Sequence, residues 1–223
     1  MYKRQASPRL APVAGAAAAR PGASLGEALR SPRFWWFYGF TLLSAPAMFI
    51  PFAHVSAAAR DLGIGETRAV GLVGLIGIGS LVGRFAIGAL ADRLGRTLTL
   101  TLMQASLGLS YGLWLAAGDY LPLALFAVWF GLSYGGIVSL MPAICMDMFG
   151  ARAVSSIVGT LYTGAALGNL LGPVVAGAVF DRTASYAPVL WGCVVVAALA
   201  TAAASRLIRP ERLVALSLRA DQP

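Results

Sequence analysis

Six apolar stretches, each about as long as a bilayer is thick, fill most of this chain. A helix needs about 20 consecutive apolar residues to cross a hydrocarbon core of about 30 Å. Residues 34–55, 69–91, 98–117, 121–146, 154–180 and 186–207 meet that length and are joined by short polar turns. Inside lipid each backbone N–H and C=O must be bonded within the segment, which leaves the helix as the form for runs like these. Only 12% of the 223 residues are charged, about half the share in a water-soluble domain of this size (about 25%). The reading is an all-α membrane protein of six transmembrane helices. It divides into a cytoplasmic N-terminal segment over 1–33, a six-helix bundle over 34–208 and a cytoplasmic tail over 209–223. Short connections favour antiparallel neighbours.

The arginines orient the bundle. With the N-terminus inside, 13 of the 17 basic residues lie on the inner side, three (Arg60, Arg68, Arg182) lie outside, and Arg84 lies within a span. That split follows the positive-inside bias and places both termini in the cytoplasm, with the chain multi-pass in the inner (plasma) membrane. The net charge of +8 is thereby accounted for by lipid topology. Nucleic-acid binding would need basic residues gathered on one folded face, so no nucleic-acid partner is expected. Residues 1–23 read as disordered, with no signal-peptide core. Ser24 and Glu27 fit a capping box for a short juxtamembrane helix, and Phe34, Trp35, Trp36 and Tyr38 form an interfacial aromatic belt. Trp129 lies deeper and reads as packing. Cys145 and Cys193 fall near opposite faces and read as packing residues. One histidine, His54, rules out a His-based metal site, so no metal and no cofactor are expected.

Compared with itself at an offset of 89, the chain repeats. Gly79, Gly83, Gly88, Ala89, Asp92 and Arg93 meet Gly168, Gly172, Gly177, Ala178, Asp181 and Arg182, and Ser80 meets Asn169. The repeated unit is three helices, an odd number, so its two copies have opposite membrane orientations: two inverted three-helix repeats. Gly79/Gly83, Gly131/Gly135 and Gly164/Gly168/Gly172 are small faces spaced for close helix approach. Gly172-Pro173 is a candidate bend or break.

Arg84 is the costly residue. A charge at helix centre costs about 2.5–3.5 kcal/mol on insertion scales and faces a cavity or a partner. Its guanidinium is shaped to hold a carboxylate by two parallel hydrogen bonds; the bland alternative is snorkelling to the inner interface. Ser80, one turn earlier, together with Asn169 and Tyr134 near mid-span, are candidates to line the same cavity, though interhelical hydrogen bonding explains Asn169 and Tyr134 equally well. His54, at the outer end of the first span, is a possible titrating group; an interfacial histidine without a role is the competing reading. No span contains a carboxylate, which leaves little for an intramembrane enzyme, so none is expected.

The turn Gly88-Ala89-Leu90-Ala91-Asp92-Arg93-Leu94-Gly95-Arg96 resembles the inner-loop motif of the major facilitator superfamily, G-x-x-x-D-[RK]-x-G-[RK]-[RK], with Thr97 departing from it. Gly88 is expected to permit close helix contact and Gly95 the tight turn. Arg93 and Arg96 are expected to hold the loop at the inner face, and Asp92 to stabilise a helix N-terminus or pair with an arginine. Ser24 to Trp35 resembles the end of the central cytoplasmic loop that leads into the seventh span of such transporters, and Pro51-Phe52-Ala53-His54, Asp147 to Arg152 and Gly172-Pro173 to Asp181 resemble the branch that holds monocarboxylate transporters and oxalate:formate antiporters. The resemblance implies the C-terminal six helices of a twelve-helix carrier, working with a missing N-terminal half or a second copy, and an Arg84 that binds substrate carboxylate. Many such proteins have an acidic residue where Ser80 stands, which puts proton coupling through that pair in doubt. The resulting expectation is secondary transport of a small organic anion, monocarboxylate or dicarboxylate-like, by alternating access. Efflux of drugs or other hydrophobic solutes is the alternative, as is a half-transporter inactive without its partner.

Overall fold

The computed structural model describes residues 22–208, so the tail over 209–223 and all but the last two residues of the expected disordered segment (1–23) lie outside the described residues; those two are ordered against α5. Seven helices follow in order: α1 (Leu25–Leu29), α2 (Pro32–Asp61), α3 (Glu66–Leu94), α4 (Arg96–Leu115), α5 (Tyr120–Phe149), α6 (Val154–Thr183) and α7 (Ala187–Ser205). The short α1 starts on the capping box: Glu27 N–H donates to Ser24 Oγ, and Ser24 N–H donates to Glu27 Oε2 at 2.7 Å. Just before it, Ala23 N–H donates to the Phe149 carbonyl at 2.7 Å, which ties the entry segment to the end of α5.

The six long helices coincide with the six apolar stretches; α2, α3, α5 and α6 overrun theirs because helical pairing continues through the interfaces, whereas α4 starts and ends two residues early and α7 stops within its stretch. Five are long and apolar enough to cross a membrane by those criteria alone. The exception is α4, 20 residues long, which carries Thr99, Gln104 and Ser110 as buried polar side chains. Its buried face turns toward other helices, and a helix so covered does not need to be apolar all round.

The two halves of the chain build the same unit. Helix lengths run 30, 29 and 20 residues in α2–α4 and 30, 30 and 19 in α5–α7. Packing follows the same symmetry and crosses between the units: α3 lies chiefly on α5 and α6 on α2, while α4 lies on α5, α7 on α2, and α4 and α7 on each other. This exchange is what two interlocked inverted repeats produce. It puts α2 and α5 centrally, α4 and α7 behind them, and α3 and α6 on the two flanks, where they are the least covered helices.

Glycine decides how close the flanks come. On α3, Gly79 and Gly83 meet the α5 backbone at Val128 and Leu132; on α5, Gly131 and Gly135 meet the α3 backbone at Ile76 and Ser80. A Cβ at any of the four would collide with a carbonyl oxygen of the other helix. The α6–α2 contact uses Gly164, Gly168 and Gly172 against Thr41, Ala45 and Pro46.

Prolines leave carbonyls without their helical donors, and the fold supplies one replacement. Pro51 has no N–H for the Ala47 carbonyl; the buried Tyr111 hydroxyl of α4 donates to that oxygen instead. In α6 the expected break at Gly172-Pro173 does not occur. The helix runs unbroken from Val154 to Thr183 with Pro173 inside it.

Candidate functional site

Arg84 follows Gly83 on α3, and Tyr134 precedes Gly135 on α5, so the close backbone approach at those glycines places both positions along the same α3–α5 seam. The Arg84 charge and the Tyr162 phenol of α6 both act electrostatically on Tyr134. Arg84 is exposed and, among the described residues, forms no ion pair. It stands ten residues before the end of α3, about 15 Å along the axis. Ser80 lies one turn away on the same side of the helix and is buried, its carbonyl pressed against Gly135.

Tyr134 is half-buried within a set of rings. Phe52 lies at 5.3 Å edge-on, Phe49 at 6.3 Å edge-on, and Phe130 at 6.2 Å stacked. Phe130 is fully buried and touches Tyr111 of α4 behind it. Phe49, Phe52 and Tyr134 keep partial exposure. Phe49 reads in the sequence as an ordinary span residue, and Phe52 is marked only as part of Pro51-Phe52-Ala53-His54, with no role of its own. Their role becomes visible only once α2 and α5 are brought together.

The remaining candidates lie elsewhere. Asn169 is exposed on α6, whose partner is α2 rather than α3, so it belongs to the opposite flank from Arg84. His54, toward the outer end of α2, has Nε2 at 3.1 Å from the Pro173 carbonyl and Nδ1 at 3.5 Å from the Tyr186 hydroxyl. It joins α2, α6 and α7 there. Trp129 is 41% exposed, and its indole N–H donates to Ser106 Oγ at 2.8 Å, so it is a polar tie between α5 and α4 more than a buried packing residue.

At the inner end the turn between α3 and α4 is a single residue, Gly95, at φ 90°. Only glycine takes that conformation without strain. Two expectations for this motif change. A Cβ on Gly88 would meet nothing within 4 Å, so the close contact of α3 belongs to Gly79 and Gly83 instead. Arg96 pairs with Asp147 at the end of α5, at 2.7 Å, and Asp92, expected to stabilise a helix N-terminus or pair with an arginine, forms no ion pair among the described residues. Asp92 and Arg93 are exposed. Both partners of the Arg96–Asp147 pair are about half exposed, which limits such a pair to roughly 0–1 kcal/mol. Cys145 and Cys193 are both buried free thiols, as packing residues would be.

Residues 35–221 match the family described as Major Facilitator Superfamily. The chain is 32% identical over 145 residues to the MFS transporter asaE of Aspergillus flavus, covering 65% of this chain and 33% of that protein. It is 28% identical over 162 residues to monocarboxylate transporter 12-B of Danio rerio (71% and 34%). It is 32% identical over 158 residues to monocarboxylate transporter 2 of Homo sapiens (67% and 33%). It thus spans about one third of the length of these curated relatives. With the helices, the repeat and this match together, the chain belongs to the Major Facilitator Superfamily, a family of multi-pass membrane transporters.

Proposed function

We propose that this chain moves a small organic anion across the membrane by alternating access, as one six-helix half of a twelve-helix carrier, and that Arg84 holds the substrate carboxylate. One observation carries the reading: a guanidinium exposed within a membrane span, beside Tyr134, with no counter-ion among the described residues. Lipid penalises that arrangement, whereas a water-filled cavity closed by a second six-helix bundle accommodates it. The exposed apolar residues of α3 and α6, such as Ile78, Phe85, Leu170 and Val174, supply the surface for that bundle. The one-third coverage of the relatives agrees with a further half, and the names of two relatives favour carboxylates. The arginine distribution orients the bundle with both termini in the cytoplasm of a cell whose plasma membrane it spans.

The test is Arg84→Lys in vesicles from cells expressing the intact coding sequence. A point charge replaces a two-pronged donor, so uptake of acetate and larger carboxylates falls at least tenfold while the protein still inserts. Unchanged uptake would favour the alternative, a carrier of uncharged hydrophobic solutes.

A further inference from the structure

The substrate is more than its carboxylate, and the structure describes what stands beside the cation. Among the described residues Arg84 is the one ionised side chain in the middle of a long helix; the others stand at helix ends. A second carboxylate at that depth would find no cationic partner on this half. The wall next to Arg84 is aromatic. Phe49 and Phe52 come from α2 and Tyr134 from α5, with the buried Phe130 stacked behind Tyr134 at 8° between ring planes. The first three are partly exposed, whereas Phe130 behind them is fully buried against Tyr111 of α4.

Rings held this way are rigid and apolar, with edges and faces turned by neighbours into fixed directions. Tyr134 receives Phe52 and Phe49 edge-on and Phe130 face-on. Its hydroxyl forms no hydrogen bond among the described residues. The phenol thus offers a donor beside the guanidinium and a ring that continues the wall.

We infer that Phe49, Phe52 and Tyr134 form a specificity wall beside Arg84 that selects monocarboxylates carrying a flat aryl body over short hydrophilic acids and dicarboxylates. This rests on the carboxylate role of Arg84. The carboxylate docks on the guanidinium and the Tyr134 hydroxyl, and the aryl ring packs against Phe52 and Phe49 in the offset or edge-to-face contacts that aromatic pairs favour. Oxalate and formate gain nothing from that wall, and a second charge beside it loses its water without a partner.

The experiment is uptake of radiolabelled benzoate, acetate and oxalate by vesicles from cells expressing the intact coding sequence, with wild type, Phe52→Ala, Phe52→Leu, Phe49→Leu and Arg84→Lys. In the wild type, benzoate is carried with a kcat/KM at least tenfold above acetate, and oxalate below both. Each wall substitution raises the KM for benzoate about five-fold, the worth of one aromatic contact, and leaves acetate within two-fold. The acetate readout reports folding, and Phe52→Leu and Phe49→Leu keep bulk in place should Phe52→Ala not fold. Equal handling of benzoate and oxalate by the wild type overturns the inference, as does a parallel loss of benzoate and acetate in both leucine variants. If Arg84→Lys leaves all three acids untouched, the carboxylate reading fails as well; if it abolishes them while the wall variants do not discriminate, the aryl inference fails alone.

Discussion

Replacing Gly135 by alanine adds one methyl at the tightest point of the bundle. An ideal Cβ there falls on the Ser80 carbonyl oxygen and lies 2.7 Å and 2.8 Å from the Ser80 carbonyl carbon and Cα. These are backbone atoms of α3, which no rotamer change can move aside. The helices must separate, and separation also undoes the neighbouring contacts of Gly79, Gly83 and Gly131. Overpacking costs about 1–3 kcal/mol, and a clash against helix backbone belongs at the upper end. For a chain of about this size each kcal/mol shifts the Tm by roughly 2–4 °C, so Gly135→Ala lowers it by roughly 6–12 °C. The control is Gly88→Ala on the same helix, where the new methyl meets nothing within 4 Å. Alanine there removes a helix penalty of about 0.8–1.0 kcal/mol, so the Tm holds or rises slightly. Thermal unfolding of the detergent-purified protein, followed by tryptophan fluorescence or light scattering, reads both. Equal Tm values for the two variants would refute the packing account.

Further tests address the proline repair, the capping box and the inner ion pair. Tyr111→Phe removes the donor that serves the Ala47 carbonyl and orphans a buried acceptor, at about 1–3 kcal/mol, read as a lower Tm. Hydrogen bonds from Ser24 hold the Glu27 carboxyl below the usual carboxylate range, the backbone bond contributing most. The folded value lies below the unfolded one, so the capping contribution is present above the ordinary carboxylate pKa and is lost as the pH falls through the depressed one. The protection of the Ala28 and Leu29 amides against hydrogen exchange, taken relative to the intrinsic rate at each pH, therefore falls at acid pH in the wild type, and Glu27→Gln flattens that dependence. Asp147→Asn, which breaks the half-exposed pair with Arg96, changes the Tm by no more than that of a surface pair, about 1 kcal/mol.

Much of the architecture was legible because bilayer physics leaves few options. A run of 20 apolar residues has one secondary structure in lipid, and the Gly-Asp-Arg frame shared by the second and fifth spans disclosed the repeat before any helix was placed. The α4 helix was legible as a span even though its polarity is higher, since its flanking turns are clear. What escaped sequence reading depends on which faces meet. Gly79, Gly83 and Gly88 share a helix, but only the first two face α5. Asp92 and Asp147 are both near Arg96 in plausible arrangements, and the partner in the fold is Asp147. Phe49 and Phe52 are two among many span aromatics until α2 and α5 converge on Tyr134. The pairing of Pro51 with Tyr111 joins residues 64 apart from Ala47 to the hydroxyl, and no local pattern signals it.

The central claim is that Arg84 faces water inside the membrane rather than lipid. It is tested by Arg84→Cys in a background with Cys145→Ala and Cys193→Ala, labelled in sealed vesicles by a membrane-impermeant thiol reagent applied from each side. Leu109→Cys, on the outward face of α4 at 70% exposure, serves as the lipid-facing reference. A thiol in water ionises and reacts, while one in hydrocarbon stays protonated and inert. The account predicts that position 84 is labelled from both sides of the membrane, far faster than position 109. Labelling at position 84 as slow as at position 109, from either side, would contradict it.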